Sequence, residues 1–72
     1  MNPTVLRGQP LTGREFQVLA QIANGWRNHE IAAALELSEE TIKSHLRHIL
    51  VKLGANNRAH AVAIGFRQGL LA

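Results

Sequence analysis

A chain of 72 residues has room for one small domain, and with 46% hydrophobic but only 4% aromatic residues its core must come from Leu, Ile, Val and Ala, which favours helices over a β-sandwich. The absence of cysteine excludes a disulfide framework and any thiolate metal site. Net charge is +3, but all five glutamates lie in the first 40 residues beside Arg7, Arg14 and Arg27, leaving that part at −2, whereas residues 41–72 carry five cations and no acid. Such asymmetry suits a polyanionic partner for the C-terminal half, or simply a solvated basic face.

Residues 1–11 read as a flexible arm containing Pro and Gly, and four helical segments follow. Thr12 is an N-cap with Glu15 three residues on, a capping box, and Leu11 can staple onto Phe16. Phe16, Leu19, Ala20 and Ala23 recur at helical spacing and mark a core stripe for a first helix over about 13–24, which Gly25 ends. Asn28 is expected to cap a short second helix with Ile31, Ala32 and Leu35 inward. Only Glu36 and Leu37 then separate it from Ser38, which can cap a third helix over about 39–53, with Leu37 stapled onto Ile42. Two short helices joined so tightly form a helix-turn-helix pattern.

A wheel of the third helix puts Ile42, Leu46, Ile49 and Leu53 on one side, with His45 at the margin. Glu40, Lys43, Ser44, Arg47, His48 and Val51 gather on the other, which is rich in hydrogen-bond donors. Glu39 and Glu40 suit the positive end of the helix dipole. Glu40 could also accept from a cytosine amino group. Gly54 ends this segment, and Asn57 can cap a fourth helix running to about Gln68. In that helix Ala59, Val62, Ala63, Phe66 and Leu70 are expected to face the core. Ile64 then projects outward between His60 and Arg67, with Ala61 and Gln68 alongside.

The segments LTGREFQVLAQIANG, NHEIAAAL and LSEETIKSHLRHILVKLGANNRAHAV resemble the LuxR-type (GerE-type) DNA-binding domain of bacterial transcription regulators over about residues 11–70. The resemblance implies an all-α, four-helix helix-turn-helix domain over 12–72 that binds double-stranded DNA in transcriptional control. The third helix would lie in the major groove. It further implies base contacts from Lys43, Ser44 and Arg47, joined by His48 and Val51, and backbone contacts from Arg27, Asn28, Thr41, Lys52 and Arg58. A homodimer on an inverted-repeat site would form through helix four, at His60, Ala61, Ile64, Arg67 and Gln68. Gly13, Trp26 and Ile42 depart from the family pattern, where Pro, an aliphatic residue and Val are usual.

Competing chemistry finds little support. His29-Glu30-Ile31-Ala32-Ala33 has alanine where the second zinc-binding histidine of a metalloprotease motif must stand, so no metal or cofactor is expected. No carboxylate pair, activated nucleophile or Gly-rich phosphate loop suggests an enzyme. The rival is a helix-turn-helix module that mainly binds protein, such as RNA polymerase, since the last DNA-binding region of sigma factors has a similar pattern. KLGANNRAHAVAIGFRQG, which adds a fourth helix, separates the two. No apolar run could cross a bilayer and MNPTVLRGQP does not read as a signal peptide, so a cytoplasmic location without membrane contact is expected.

Overall fold

Among the described residues, three of the four helices begin where the sequence supplies a side-chain acceptor. In the computed structural model, which describes residues 7–72, these are α1 (Gly13–Ala23), α3 (Glu39–Leu53) and α4 (Arg58–Arg67), with α2 (Asn28–Leu35) the exception. No strand occurs among the described residues. Thr12 Oγ1 accepts from the Glu15 amide at 3.1 Å while Glu15 Oε1 accepts from the Thr12 amide at 2.9 Å, completing the expected box. Ser38 Oγ accepts from the Thr41 amide and Asn57 Oδ1 from the His60 amide. At α2 the expected cap moves back by one residue. Asn28 is already helical, and Arg27, whose guanidinium has no acceptor, holds the N-cap position. Only the return half of a box survives there, with Glu30 Oε1 accepting from the Arg27 amide at 2.8 Å.

All four helices stop in the same way. In each, an amide two or three residues past the end reaches back to a carbonyl five residues earlier: Trp26 to Gln21, Leu37 to Ala32, Ala55 to Leu50, Leu70 to Gly65. The preceding amide bonds three residues back, and that residue takes a left-handed conformation, a Schellman ending. Gly25, Gly54 and Gly69 occupy this position in three helices. In the turn between α2 and α3 it is Glu36, at φ 58°, which no glycine relieves.

The core joins Val18, Leu19 and Ile22 of α1, Ile31 and Ala32 of α2, Ile42 and Ile49 of α3, and Ala61 of α4. Leu35, Leu37, Leu46, Leu50 and Leu53 close its edges. The other three helices all pack on α3, so this one element is held from several sides.

Two predicted faces change. Phe16, expected in the α1 stripe, is 43% exposed, and Val18 and Ile22 join Leu19 inside instead. In α4 the phase is turned, although Val62 packs against the core as expected. Ala61, Ile64 and Gly65 are buried, while Ala59, Ala63 and Phe66 face out. The larger side chains did not choose the face because α4 approaches α1 closely. A Cβ on Gly65 would sit 2.8 Å from the Leu71 side chain and 3.4 Å from that of Leu19. Small residues permit that approach, and bulky Phe66 is left outside.

Residues 1–6 of the expected arm lie outside the described residues. From Arg7 onward the arm is docked: the Gly8 amide donates to the Lys52 carbonyl at 3.1 Å, and the Arg7 guanidinium lies beside Gly54. The arm therefore caps the C-terminal end of α3.

The left-handed Glu36 yields a prediction. A non-glycine residue pays about 1–2 kcal/mol in that conformation, partly offset by the larger unfolded-state entropy of glycine, about 0.5–1 kcal/mol. Glu36→Gly should therefore raise stability by about 0.5–1 kcal/mol. A higher urea midpoint with unchanged slope would confirm this, and an unchanged or lower midpoint would refute it.

Candidate nucleic-acid interface

Helix α3 presents an edge that nothing else in the described chain covers. Lys43 and Arg47 are exposed on it and Ser44 lies half-buried between them, with Arg47 Nη2 donating to Ser44 Oγ at 3.2 Å. Lys43 Nζ stands 3.4 Å from Glu40 Oε1 with both side chains well exposed, a pair worth about 0–1 kcal/mol and easily exchanged for another anion. Val51 and His48 are half-buried along the same helix. The five residues predicted to contact bases thus occur together, with His48 at the margin nearest α1.

That margin holds a feature with no counterpart in the sequence reading. Glu15 is 3% exposed and does more than cap α1. Its Oε1 accepts from Lys52 Nζ at 2.7 Å as well as from the Thr12 amide, and its Oε2 stands 3.8 Å from His48 Nδ1. The Lys52 side chain is only 7% exposed. This corrects its predicted role: an ammonium buried against a carboxylate is not available to a DNA phosphate, and Lys52 fastens α3 to the start of α1. Residues 37 positions apart carry no spacing signal, so only the fold could pair them. Burial pushes the Glu15 carboxyl up, but the Lys52 hydrogen bond, the Thr12 amide and the charges of Lys52 and His48 outweigh it. The net shift is below the ordinary value of 4.5.

The remaining predicted backbone contacts cluster around the starts of α2 and α4. Arg27 is exposed. Asn28, relieved of capping, accepts from Arg58 Nη2 through Oδ1 at 2.6 Å, which ties the two helix starts together and fixes the guanidinium. Thr41 is half-buried, its hydroxyl 2.9 Å from that of Ser38. Trp26, beside Arg27, is 38% exposed.

Of the predicted dimer surface, all but Ala61 lie around one shallow depression. Ala61 is fully buried, for the packing reason given above, whereas Ile64, 9% exposed, lines that depression with His60, Arg67 and Gln68. His60 is half-buried with Nδ1 accepting from the Asn56 amide, while Arg67 and Gln68 remain exposed.

A helix-turn-helix of this geometry, followed by a fourth helix, matches one family. The sequence profile described as "Bacterial regulatory proteins, luxR family" fits residues 9–64. The chain belongs to the luxR family. It is 50% identical over 56 residues to a probable transcriptional regulatory protein, SgaR, of Hyphomicrobium methylovorum, covering 78% of this chain and 26% of that protein. It is 44% identical over 63 residues to the uncharacterized transcriptional regulatory protein YxjL of Bacillus subtilis (strain 168), covering 88% and 29%. The chain thus spans under a third of the length of these curated relatives. Among solved structures, the transcription factor GerE superposes with a TM-score of 0.82 at 29% identity, covering 89% of this chain and 97% of that one. The response regulator ChrA of a heme-sensing two-component system also gives 0.82, at 42% identity, covering 86% and 31%. The luxR-family helix-turn-helix fold is therefore established for this chain.

Removing one partner of a buried pair strands the other charge, at a typical cost of about 3–5 kcal/mol. Lys52→Ala should lose about that much in urea unfolding, far more than an exposed lysine would, and a loss under about 1 kcal/mol would refute the burial argument. Because folding lowers the Glu15 pKa, its contribution to stability is complete above the unfolded value of about 4.5 and disappears as pH falls through the lower folded value. Unfolding midpoints followed from pH 7 to pH 3 should drop over that interval, and Glu15→Gln should flatten the drop.

Proposed function

We propose that this domain binds double-stranded DNA in sequence-specific fashion and serves transcriptional regulation, with α3 in the major groove. The observation that carries this reading is the exposed edge of α3, where Lys43, Ser44 and Arg47 stand together on a helix held rigidly from behind. Membership in the luxR family supports it, as do relatives named as transcriptional regulators.

The mechanism follows from the side chains. An α-helix fits the B-DNA major groove, which is about 12 Å wide. Arg47 and Lys43 can donate to guanine O6 and N7, Ser44 can pair with several bases, and Val51 can touch a thymine methyl group. Exposed Arg27 and the clamped Arg58, flanking the starts of α2 and α4, would meet phosphates and set the register. Thr41 and Asn28 could add backbone contacts.

Two copies would pair on an inverted repeat, placing their α3 helices about one DNA turn apart. With Ile64 only 9% exposed, the more accessible surface to join them is the outer face of α4, where Phe66 is 49% exposed beside Ala59, Ala63 and Arg67. Such a patch is small, so pairing should be weak without DNA.

Random-library selection with the purified chain tests the reading, with the enriched site then used for variants. Arg47→Ala and Lys43→Ala should each cost about 1–3 kcal/mol on that site and relax the base preference. Arg27→Ala should weaken all sequences alike and reduce the salt slope by about one. An unchanged sequence preference in Arg47→Ala would defeat the assignment of α3. For pairing, Phe66→Glu should leave the unfolding midpoint near wild type yet remove cooperative occupancy of paired half-sites while sparing a single half-site. Normal cooperativity in that variant would show that α4 does not join the copies through Phe66.

A further inference from the structure

Two cations of the described chain, Lys52 and Arg58, are partly withdrawn from solvent, and they are held in opposite ways. Lys52 is bound by the Glu15 carboxylate, which cancels its charge. Arg58 is bound by an amide. Its Nη2 donates to Asn28 Oδ1 at 2.6 Å, and among the described residues no carboxylate lies within ion-pair distance of the guanidinium. Glu30, the acid nearest to Asn28 along α2, is turned to the Arg27 amide instead. An amide oxygen orients a guanidinium much as a carboxylate does but leaves its positive charge whole.

The orientation of the Asn28 amide follows from its partner. A guanidinium only donates, so the oxygen faces Arg58 and Nδ2 is turned away from it. Neither Nδ2 nor the other nitrogens of Arg58 make a hydrogen bond within the described chain. No buried side-chain nitrogen or oxygen is left without a partner among the described residues, so these free donors reach the surface. The pair therefore presents outward a group of N–H donors and a positive charge with no anion beside them. That combination fits an anionic oxygen group such as a phosphate diester. Asn28 and Arg58 also open α2 and α4, two of the helices packed on α3, so a group bound between them is held at a fixed place relative to the basic edge.

We propose that Asn28 is a positioning residue for DNA binding: its amide fixes the Arg58 guanidinium at full charge, and Nδ2 and the free Arg58 donors grip one backbone phosphate as a single clip. The inference rests on the DNA reading given above and goes beyond a phosphate contact from either residue alone. Separate contacts would contribute independently, whereas the halves of a clip depend on each other.

The test is a double-mutant cycle, read on the site enriched from a random library and on an unrelated duplex, under conditions where urea curves show every variant folded. Asn28→Ala and Arg58→Gln should each weaken binding to both duplexes about tenfold, and the two together about tenfold as well rather than about a hundredfold. Weakening both duplexes alike marks a backbone contact. Asn28→Asp keeps the bond as an ion pair. It should hold the unfolding midpoint at or above wild type yet reduce the salt slope by about one, because the charge of Arg58 is then cancelled. A purely structural Asn28 would give Asn28→Ala a lower unfolding midpoint but wild-type DNA affinity once folded, and that result overturns the inference. Effects that multiply in the cycle, or an unchanged salt slope in Asn28→Asp, overturn it too. A wild-type chain that enriches no sequence overturns the DNA reading itself, whereas enrichment by the wild type with full-strength binding by Asn28→Ala overturns the clip alone.

Discussion

One carboxylate organises this domain. Glu15 closes the capping box that starts α1, binds the ammonium that fastens α3, and faces the imidazole at the margin of the basic edge. Each contact alone is ordinary, but together they place the first turn of α1 and the last turns of α3 in a fixed relation. The desolvation of two opposite charges is tolerated because both oxygens remain useful: one accepts two hydrogen bonds, and the other looks onto a partly accessible ring. Much of the register between the helix that carries the basic edge and the rest of the fold therefore passes through a single side chain.

Local signals made much of this legible beforehand. Thr12 with Glu15, Ser38, Asn57 and the glycines at 25, 54 and 69 mark helix ends through rules that span a few residues, and those ends fell where expected within a residue or two. The α3 face was equally readable, because a long helix with apolar residues at regular spacing leaves little doubt about its buried side. What failed was long-range or weakly patterned. The Glu15–Lys52 pair joins residues distant in sequence. Helix α4 carries apolar residues on both sides, so its phase depends on how near α1 it can come, and that was set by Ala61 and Gly65 rather than by bulk. Asn28 resembled a cap because asparagine usually is one, yet Arg58 offered its side chain a better partner.

A pattern follows for the polar residues of this chain. Those near the ends of helices serve structure first: Asn28 holds Arg58, Ser38 meets Thr41, His60 accepts from Asn56, and Lys52 is buried. Lys43 and Arg47, in the middle of α3, make only weak contacts within their own helix, so little has to be broken before they engage something else. Charge alone would have treated all these cations alike. Burial and partners divide them into those that build the domain and those that remain uncommitted.

The docking of the arm has a mechanical meaning. The Gly8 amide is bonded to the backbone of the same Lys52 whose side chain Glu15 holds. A pull transmitted through the polypeptide at residue 7 would therefore not dissipate in a slack tether. It would load the final turn of α3 directly and pass by way of Lys52 into the beginning of α1, a path of one backbone hydrogen bond and one buried ion pair in series. The weaker link is the hydrogen bond at Gly8, which would part first and leave the helices joined.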